Sequence, residues 1–224
     1  MKKILFLSIL AGLSCMTTFA DDWANLARYK QVNKVVAKQD ASKRKIVMMG
    51  NSITDNWASM DTAFFVKNGI IGRGISGQVT KQMLERFCQD VVALAPQKVV
   101  ILCGTNDIAE NDGKYTEDVT LGNITKMAQI ALDNGIEPIL CSVLPVEYYF
   151  WRKDIKDVPA KILSLNSRIS AFAKSRNLKY INYYPAMLAP DGVALNPRYT
   201  KDGVHPTISG YHLMEQIFLN AVKL

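Results

Sequence analysis

The sequence predicts an α/β protein, a parallel sheet with helices packed on both of its faces. Three observations predict it. Short apolar runs alternate with longer stretches of helical spacing about five times along the chain, which is what strands joined by crossover helices require. The first run, Ile46 to Met49, is continuously apolar and ends at Gly50, as a strand buried on both faces reads. No internal repeat, low-complexity tract or linker divides the 224 residues, a length that suits one domain.

Before that first strand, Trp23 to Lys38 carries Trp23, Leu26, Ala27, Val32, Val35 and Val36 near helical spacing and reads as a helix. The Lys43-Arg44-Lys45 cluster reads as a solvated approach to the strand. Ile70-Ile71 is a weaker second strand. Val79 to Ala95 is helical, with Met83, Leu84, Phe87, Val91 and Leu94 on one side. Lys98 to Cys103 is the third strand, closed by Gly104. Thr116 to Asn134 is a helix that Gly135 ends as a C-cap. Ile139 to Val143 is the fourth strand. Pro159 to Arg176 is a helix with proline near its start, where a backbone N–H is not needed. Tyr180 to Tyr183 is the fifth strand, and Thr207 to Val222 the closing helix.

Residues 1–20 read as a secretory signal, which leaves 21–224 as the single domain. Lys2 and Lys3 precede an apolar run, Ile4 to Leu13, and Thr18-Phe19-Ala20 puts small residues at the usual cleavage positions, followed by Asp21-Asp22. The run falls short of the roughly 20 apolar residues that span a bilayer, and no other segment is long and apolar enough. The expected destination is the periplasm or the exterior. Cys15 offers lipid anchoring as an alternative, but Gly12 stands three positions before it, where a leucine-like residue is expected. A short apolar N-terminal helix is the third reading. Hydrophobic residues at 49% and charged residues at 21% exclude a disordered chain. Two histidines argue against a multi-histidine metal site. The net charge of +7 includes the two signal lysines, and the remaining basic residues lack the basic–aromatic interleaving of a nucleic-acid binder. Cys88, Cys103 and Cys141 are an odd set with no C-x-x-C; Cys103 and Cys141 read as small core hydrophobes.

Open parallel sheets bind ligands beyond the carboxyl ends of their strands, so the residues that follow each strand are the informative ones. After the first comes Gly50-Asn51-Ser52-Ile53-Thr54. A serine on that tight strand-to-helix turn presents its hydroxyl where helix N–H groups favour developing negative charge; the alternative is a plain N-cap. After the second comes Gly72-Arg73-Gly74-Ile75-Ser76-Gly77, a literal match to the dinucleotide pattern G-x-G-x-x-G. It follows the second strand instead of the first, and no acidic residue closes a neighbouring strand at the expected distance. Its other uses are a loop whose Gly77 N–H meets a ligand, or a turn that needs glycine dihedrals. Ser76 is no nucleophile elbow, because Gln78 stands where that pattern needs glycine. After the third strand comes Gly104-Thr105-Asn106-Asp107, which offers a side-chain amide at the sheet edge, or an Asx-turn. Asp202-Gly203-Val204-His205-Pro206 puts an acid and a histidine three apart, so that the carboxylate can hold Nδ1–H while Nε2 faces a nucleophile; the plain alternative is a surface turn. His212, inside the last helix without a comparable acidic neighbour in sequence, reads as structural. A serine, a glycine N–H, an asparagine amide and an Asp–His pair together make a complete acyl-transfer set.

From about Ile46 to its end the chain resembles the SGNH hydrolase (GDSL-like esterase/lipase) family. The resemblance rests on Gly50-Asn51-Ser52-Ile53-Thr54, Gly74-Ile75-Ser76-Gly77, Gly104-Thr105-Asn106-Asp107 and Asp202-Gly203-Val204-His205, in the family's order. It implies a flavodoxin-like three-layer α/β/α sandwich with a five-stranded parallel sheet. It also implies Ser52 as nucleophile, Asp202 and His205 as the acid–base pair, and the N–H groups of Ser52 and Gly77 with the Asn106 amide as an oxyanion hole. No metal or organic cofactor is implied. The family usually has aspartate where this chain has Asn51; activity is expected to survive, because Asp202 is placed to orient His205.

The expected function is an exported serine esterase that hydrolyses carboxylic esters through an acyl-enzyme, with short acyl (O-acetyl) groups on carbohydrates as substrate. A lysophospholipase or thioesterase of the same family is the alternative. A non-catalytic carbohydrate-binding module and a nucleotide-binding protein are the readings from other classes. The expected partner is a small-molecule or glycan ester, with no nucleic acid and no membrane span once the signal is gone. Tyr148-Tyr149-Phe150-Trp151-Arg152, after the fourth strand, supplies either a substrate platform or a packing flap. Trp57, Tyr149 and Trp151 are the candidate substrate contacts.

Overall fold

The computed structural model of the chain describes residues 22–222; the signal segment and Cys15 fall outside them. The five strands are β1 (Ile46–Gly50), β2 (Ile70–Gly74), β3 (Lys98–Leu102), β4 (Glu137–Cys141) and β5 (Lys179–Ile181). They form one sheet in the order β2-β1-β3-β4-β5, parallel throughout. This is the flavodoxin-like order, in which connections leave in opposite directions at the β1/β3 boundary and open a crevice there. The register brings Gly50 opposite both Gly74 and Leu102, so the first three strands finish level and their following loops are neighbours.

The helices are α1 (Ala27–Val36), α2 (Ser52–Met60), α3 (Thr62–Asn68), α4 (Thr80–Asp90), α5 (Thr105–Ile108), α6 (Glu117–Asp133), α7 (Val158–Ser175), α8 (Tyr184–Met187) and α9 (Ile208–Val222). Side chains alternate across a strand, and the two core clusters follow that alternation. Val47, Met49, Val99, Ile101 and Leu140 pack with α4, α6 and α7. Ile46, Met48, Val100, Ile139 and Cys141 pack with α2, α3 and α9. The result is a three-layer α/β/α sandwich. Among the described residues no helix is long and apolar enough to cross a membrane.

Three differences from the sequence expectation have physical causes. β2 is longer than Ile70-Ile71 and contains Gly72 and Gly74. A β-carbon on Gly72 would lie 2.6 Å from the Ala58 β-carbon, and one on Gly74 2.1 Å from the Asp55 nitrogen. The first two glycines of the G-x-G-x-x-G match therefore let α2 lie against the sheet, and they do not form a phosphate loop. Next, α1 is shorter than expected and leaves Val32 and Val35 exposed; it docks through buried Asn33, which donates to Asp90 and accepts from Arg73. Finally, α3, α5 and α8 span 7, 4 and 4 residues, too few for a periodic signal.

Candidate active site

Asn51 and Ser52 divide two tasks at the end of β1. Asn51 is the N-cap of α2, its Oδ1 accepting the Ile53 N–H at 3.1 Å. An amide oxygen caps as an aspartate oxygen does, so the cap survives the missing charge. Ser52 is thereby the first helical residue, and its hydroxyl is free of capping. Its Oγ lies 2.9 Å from His205 Nε2, and His205 Nδ1 lies 2.7 Å from Asp202 Oδ2. The charged acceptor at Nδ1 fixes the tautomer: Nδ1 carries the hydrogen and the Nε2 lone pair faces Ser52.

The Asp202–His205 turn is held from within. Asp202 Oδ1 accepts the N–H groups of Val204 and His205 at 2.9 and 2.8 Å. Partial burial opposes its charge, but the backbone and ring donations from His205 and the Val204 N–H together outweigh burial, so the carboxyl is held below its ordinary value. Thr200 Oγ1 accepts from Gly203 N–H and donates to the His205 carbonyl at 2.9 Å. Sequence reasoning missed Thr200, because a threonine two residues before a D-G pair gives no signal of its own.

In the loop that follows β2, Gly77 has φ +82°, a conformation glycine adopts without strain. Its N–H has no acceptor among the described residues, and its carbonyl accepts from Asn111 Nδ2 at 3.3 Å. Asn106 donates one Nδ2 hydrogen to the Gln78 carbonyl at 2.9 Å and is 3% exposed; an amide has a second hydrogen to offer. Asp107 fastens this loop to the start of α4 by accepting the Thr80 N–H at 3.1 Å and the Thr80 hydroxyl. Burial pushes the Asp107 carboxyl up to about 6, against the lowering effect of those donors.

Beneath both loops lies Arg86, fully buried. Its Nη2 donates to the Gly50 and Arg73 carbonyls at 2.9 and 3.0 Å, its Nε to Gln78 at 2.6 Å and its Nη1 to Asp90 at 2.9 Å. It ties the end of β1, which precedes Ser52, to the loop that follows β2. The signal was present: Arg86 and Asp90 stand four apart on the apolar stripe that Met83 and Phe87 define, where a charged pair has to have a purpose.

The aromatic candidates divide otherwise than expected. Trp57 is 1% exposed, stacks with Tyr211 and Phe64 at 5.5 and 6.0 Å, and donates Nε1–H to Glu215. It belongs to the core and cannot touch a substrate. Tyr149 is fully buried with its hydroxyl on Thr105 Oγ1 at 3.0 Å, so the contact assigned to it also fails. Trp151 is half-buried, its Nε1 donating to Asn111 Oδ1 at 2.9 Å. His212 does have an acidic neighbour, Asp61, at 3.4 Å, which the sequence placed far away. With Glu215 these two are the grouping among the described residues that could offer three metal ligands. Both carboxylates are already engaged, Asp61 as the cap of α3 and Glu215 with Trp57.

The arrangement sets a hydroxyl, an imidazole, a carboxylate and N–H donors on adjoining loops, the kinds of group that acyl transfer requires. The sequence profile of the GDSL-like Lipase/Acylhydrolase family matches residues 48–213. A GDSL-like lipase from Bacteroides thetaiotaomicron VPI-5482 is 50% identical, with 89% of this chain and 98% of that one covered and a TM-score of 0.86. An acetylxylan esterase of Xylanibacter ruminicola is 24% identical over 221 residues, 83% of this chain. The chain spans 44% of that relative's length. A catalytic mutant of an acetylxylan esterase from Geobacillus stearothermophilus shares the fold at TM-score 0.64 and 17% identity, covering 82% and 95% of the two chains.

Proposed function

The chain belongs to the GDSL-like lipase/acylhydrolase family, a family of ester-hydrolysing enzymes, and from that premise we propose that it is an exported serine esterase that removes short acyl groups, chiefly O-acetyl groups, from carbohydrates. Residues 1–20 serve as its signal and 21–224 as its single catalytic domain. The observation that carries the reading is the unbroken row Ser52 Oγ–His205 Nε2–Asp202, with contacts of 2.9 and 2.7 Å.

His205 takes the hydroxyl proton as Ser52 Oγ attacks the ester carbonyl, and Asp202 stabilises the imidazolium that forms. The oxyanion receives the N–H groups of Ser52 and Gly77 and the second amide hydrogen of Asn106. Collapse of the tetrahedral adduct expels the alkoxide, which takes the proton from His205. Water, deprotonated by the same imidazole, then hydrolyses the acyl-enzyme and restores Ser52. The similarity to an acetylxylan esterase supports the acetylated-carbohydrate substrate.

A lysophospholipase or thioesterase reading draws on a cavity of about 340 Å³ beside His205, where exposed Met60 and Ile208 supply apolar wall. p-Nitrophenyl esters of graded chain length, measured beside acetylated oligosaccharides, separate the two readings. The esterase of short acyl groups peaks at acetate; a peak at long chains overturns it. Ser52→Ala is expected to lose nearly all turnover, and retention of wild-type turnover would sink the whole assignment.

A further inference from the structure

The loop after β4 sorts its aromatic residues by position. Tyr149 is fully buried, Trp151 is tied to Asn111, and Arg152 donates to the carbonyls of Ala109 and Glu110 at 3.2 and 2.9 Å. These anchors hold Tyr148 and Phe150 outward, 53% and 49% exposed. Two large rings kept half in water on one anchored loop mark a contact surface. Both line a cavity of about 490 Å³, within the roughly 300–1,000 Å³ typical of ligand pockets. The facing wall includes Lys201 and Asp202, on the loop that carries His205, and Glu147 stands on the near side.

We propose that this cavity is the subsite for the sugar half of an acetylated oligosaccharide, with Tyr148 and Phe150 as its stacking platform and Glu147 and Lys201 as partners for the sugar hydroxyls. The inference rests on the esterase reading above and adds where the alcohol half lies. A pyranose has an apolar C–H face rimmed by hydroxyls, and an aromatic floor with charged flanks matches both. A long acyl chain would instead desolvate Glu147, Lys201 and Asp202 with no hydrogen bonds in return. The leaving alkoxide has to take its proton from His205, so the alcohol half of the ester lies along the Asp202–His205 loop, which forms this wall. The anchored loop also lowers the ordering cost of binding, because the rings are already in place.

The test compares kcat/KM for acetylated xylooligosaccharides with kcat/KM for p-nitrophenyl acetate, in the wild type, Tyr148→Ala, Phe150→Ala and the double variant. Circular dichroism checks that each folds. The ratio of oligosaccharide to p-nitrophenyl acetate is expected to fall about tenfold or more, since binding energy from remote parts of a substrate is lost with its contacts. An unchanged ratio overturns the subsite. So does a shift in the chain-length optimum of p-nitrophenyl esters, which makes the cavity an acyl site. A change in sedimentation mass overturns it too, making the rings a contact between copies of the chain. Calorimetry with unacetylated xylooligosaccharides on the Ser52→Ala protein reads the subsite without catalysis. There, wild-type-like affinity in Tyr148→Ala, or no binding at all, overturns the subsite even if the esterase reading stands. Turnover retained by Ser52→Ala removes the esterase reading, whatever the calorimetry gives.

Discussion

Gly74→Ala tests whether the close approach of α2 to the sheet positions Ser52, the proposed nucleophile. The added β-carbon would stand 2.1 Å from the Asp55 nitrogen and 2.7 Å from the Asn51 carbonyl oxygen. Non-bonded atoms settle at about 3.5 Å or more, so something has to retreat by more than about 1 Å. Both opposing atoms are backbone of the first turn of α2, so no side chain can swing aside. Asn51 and Asp55 bracket Ser52 and are joined to each other by a hydrogen bond of 2.9 Å. The retreat therefore carries Ser52 away from His205 and stretches their 2.9 Å contact beyond hydrogen-bonding range. Overpacking of this kind costs about 1–3 kcal/mol, and rigid neighbours place it at the upper end. A displacement near 1 Å can cost about 10²-fold in rate. Urea unfolding reads the first effect, and kcat/KM on p-nitrophenyl acetate the second. Gly77→Ala is the comparison: nothing lies within 4 Å of its added carbon, and only its φ of +82° opposes the change. A Gly74→Ala protein within about 0.5 kcal/mol of wild type, the range of ordinary surface substitutions, and with unaltered kcat/KM would refute the reasoning.

Three further outcomes follow from the same geometry. Arg86→Met leaves buried Asp90 without its guanidinium partner, with Asn33 still donating to it, and removes the tie between Gly50 and the β2 loop; unfolding free energy should fall by about 3–5 kcal/mol, read by urea melts. Asn106→Ala removes the amide proposed to donate to the oxyanion and should lower kcat by about 10²–10³, measured on p-nitrophenyl acetate; it also frees the Gln78 carbonyl, so a parallel melt separates lost chemistry from lost stability. Asp107 has a carboxyl raised from 3.8 to about 6, chiefly by burial. Between those values the native state keeps a proton that the unfolded chain releases, so stability from this group is full below pH 3.8 and is lost as pH rises through about 6. Asp107→Asn should flatten that part of the urea midpoint against pH; an unchanged slope would show that Asp107 does not titrate there.

Local signals carried most of the fold. Continuous apolar runs at β1, β3 and β4 and helical spacing across α4, α6, α7 and α9 depend on residues within a turn or two of one another. The loops after β1, β2 and β3 and the Asp202–His205 turn were legible for the same reason, because each block is contiguous. What escaped was whatever depends on contact between distant segments. Ser76 shows the difference: in sequence it only fails a nucleophile pattern, whereas in the fold its hydroxyl donates to Asp55 at 3.0 Å and fastens the β2 loop to α2. Trp57 and Tyr149 were misassigned because an aromatic next to a functional block looks alike whether it faces the core or the solvent. Only the packing of Tyr211 and Phe64 on one, and of Thr105 on the other, separates the cases.

The sequence by itself determined the alternation of strands and helices and the type of chemistry available, since periodicity and residue type are properties of short windows. The tertiary structure alone decided that Ser52 and His205, 153 residues apart, meet at 2.9 Å. It alone placed Arg86 beneath both loops, turned Tyr148 and Phe150 outward and brought Asp61 to His212. Those are distances between segments, and they exist only once the level ends of β1, β2 and β3 and the two packed layers have set each loop against its neighbour.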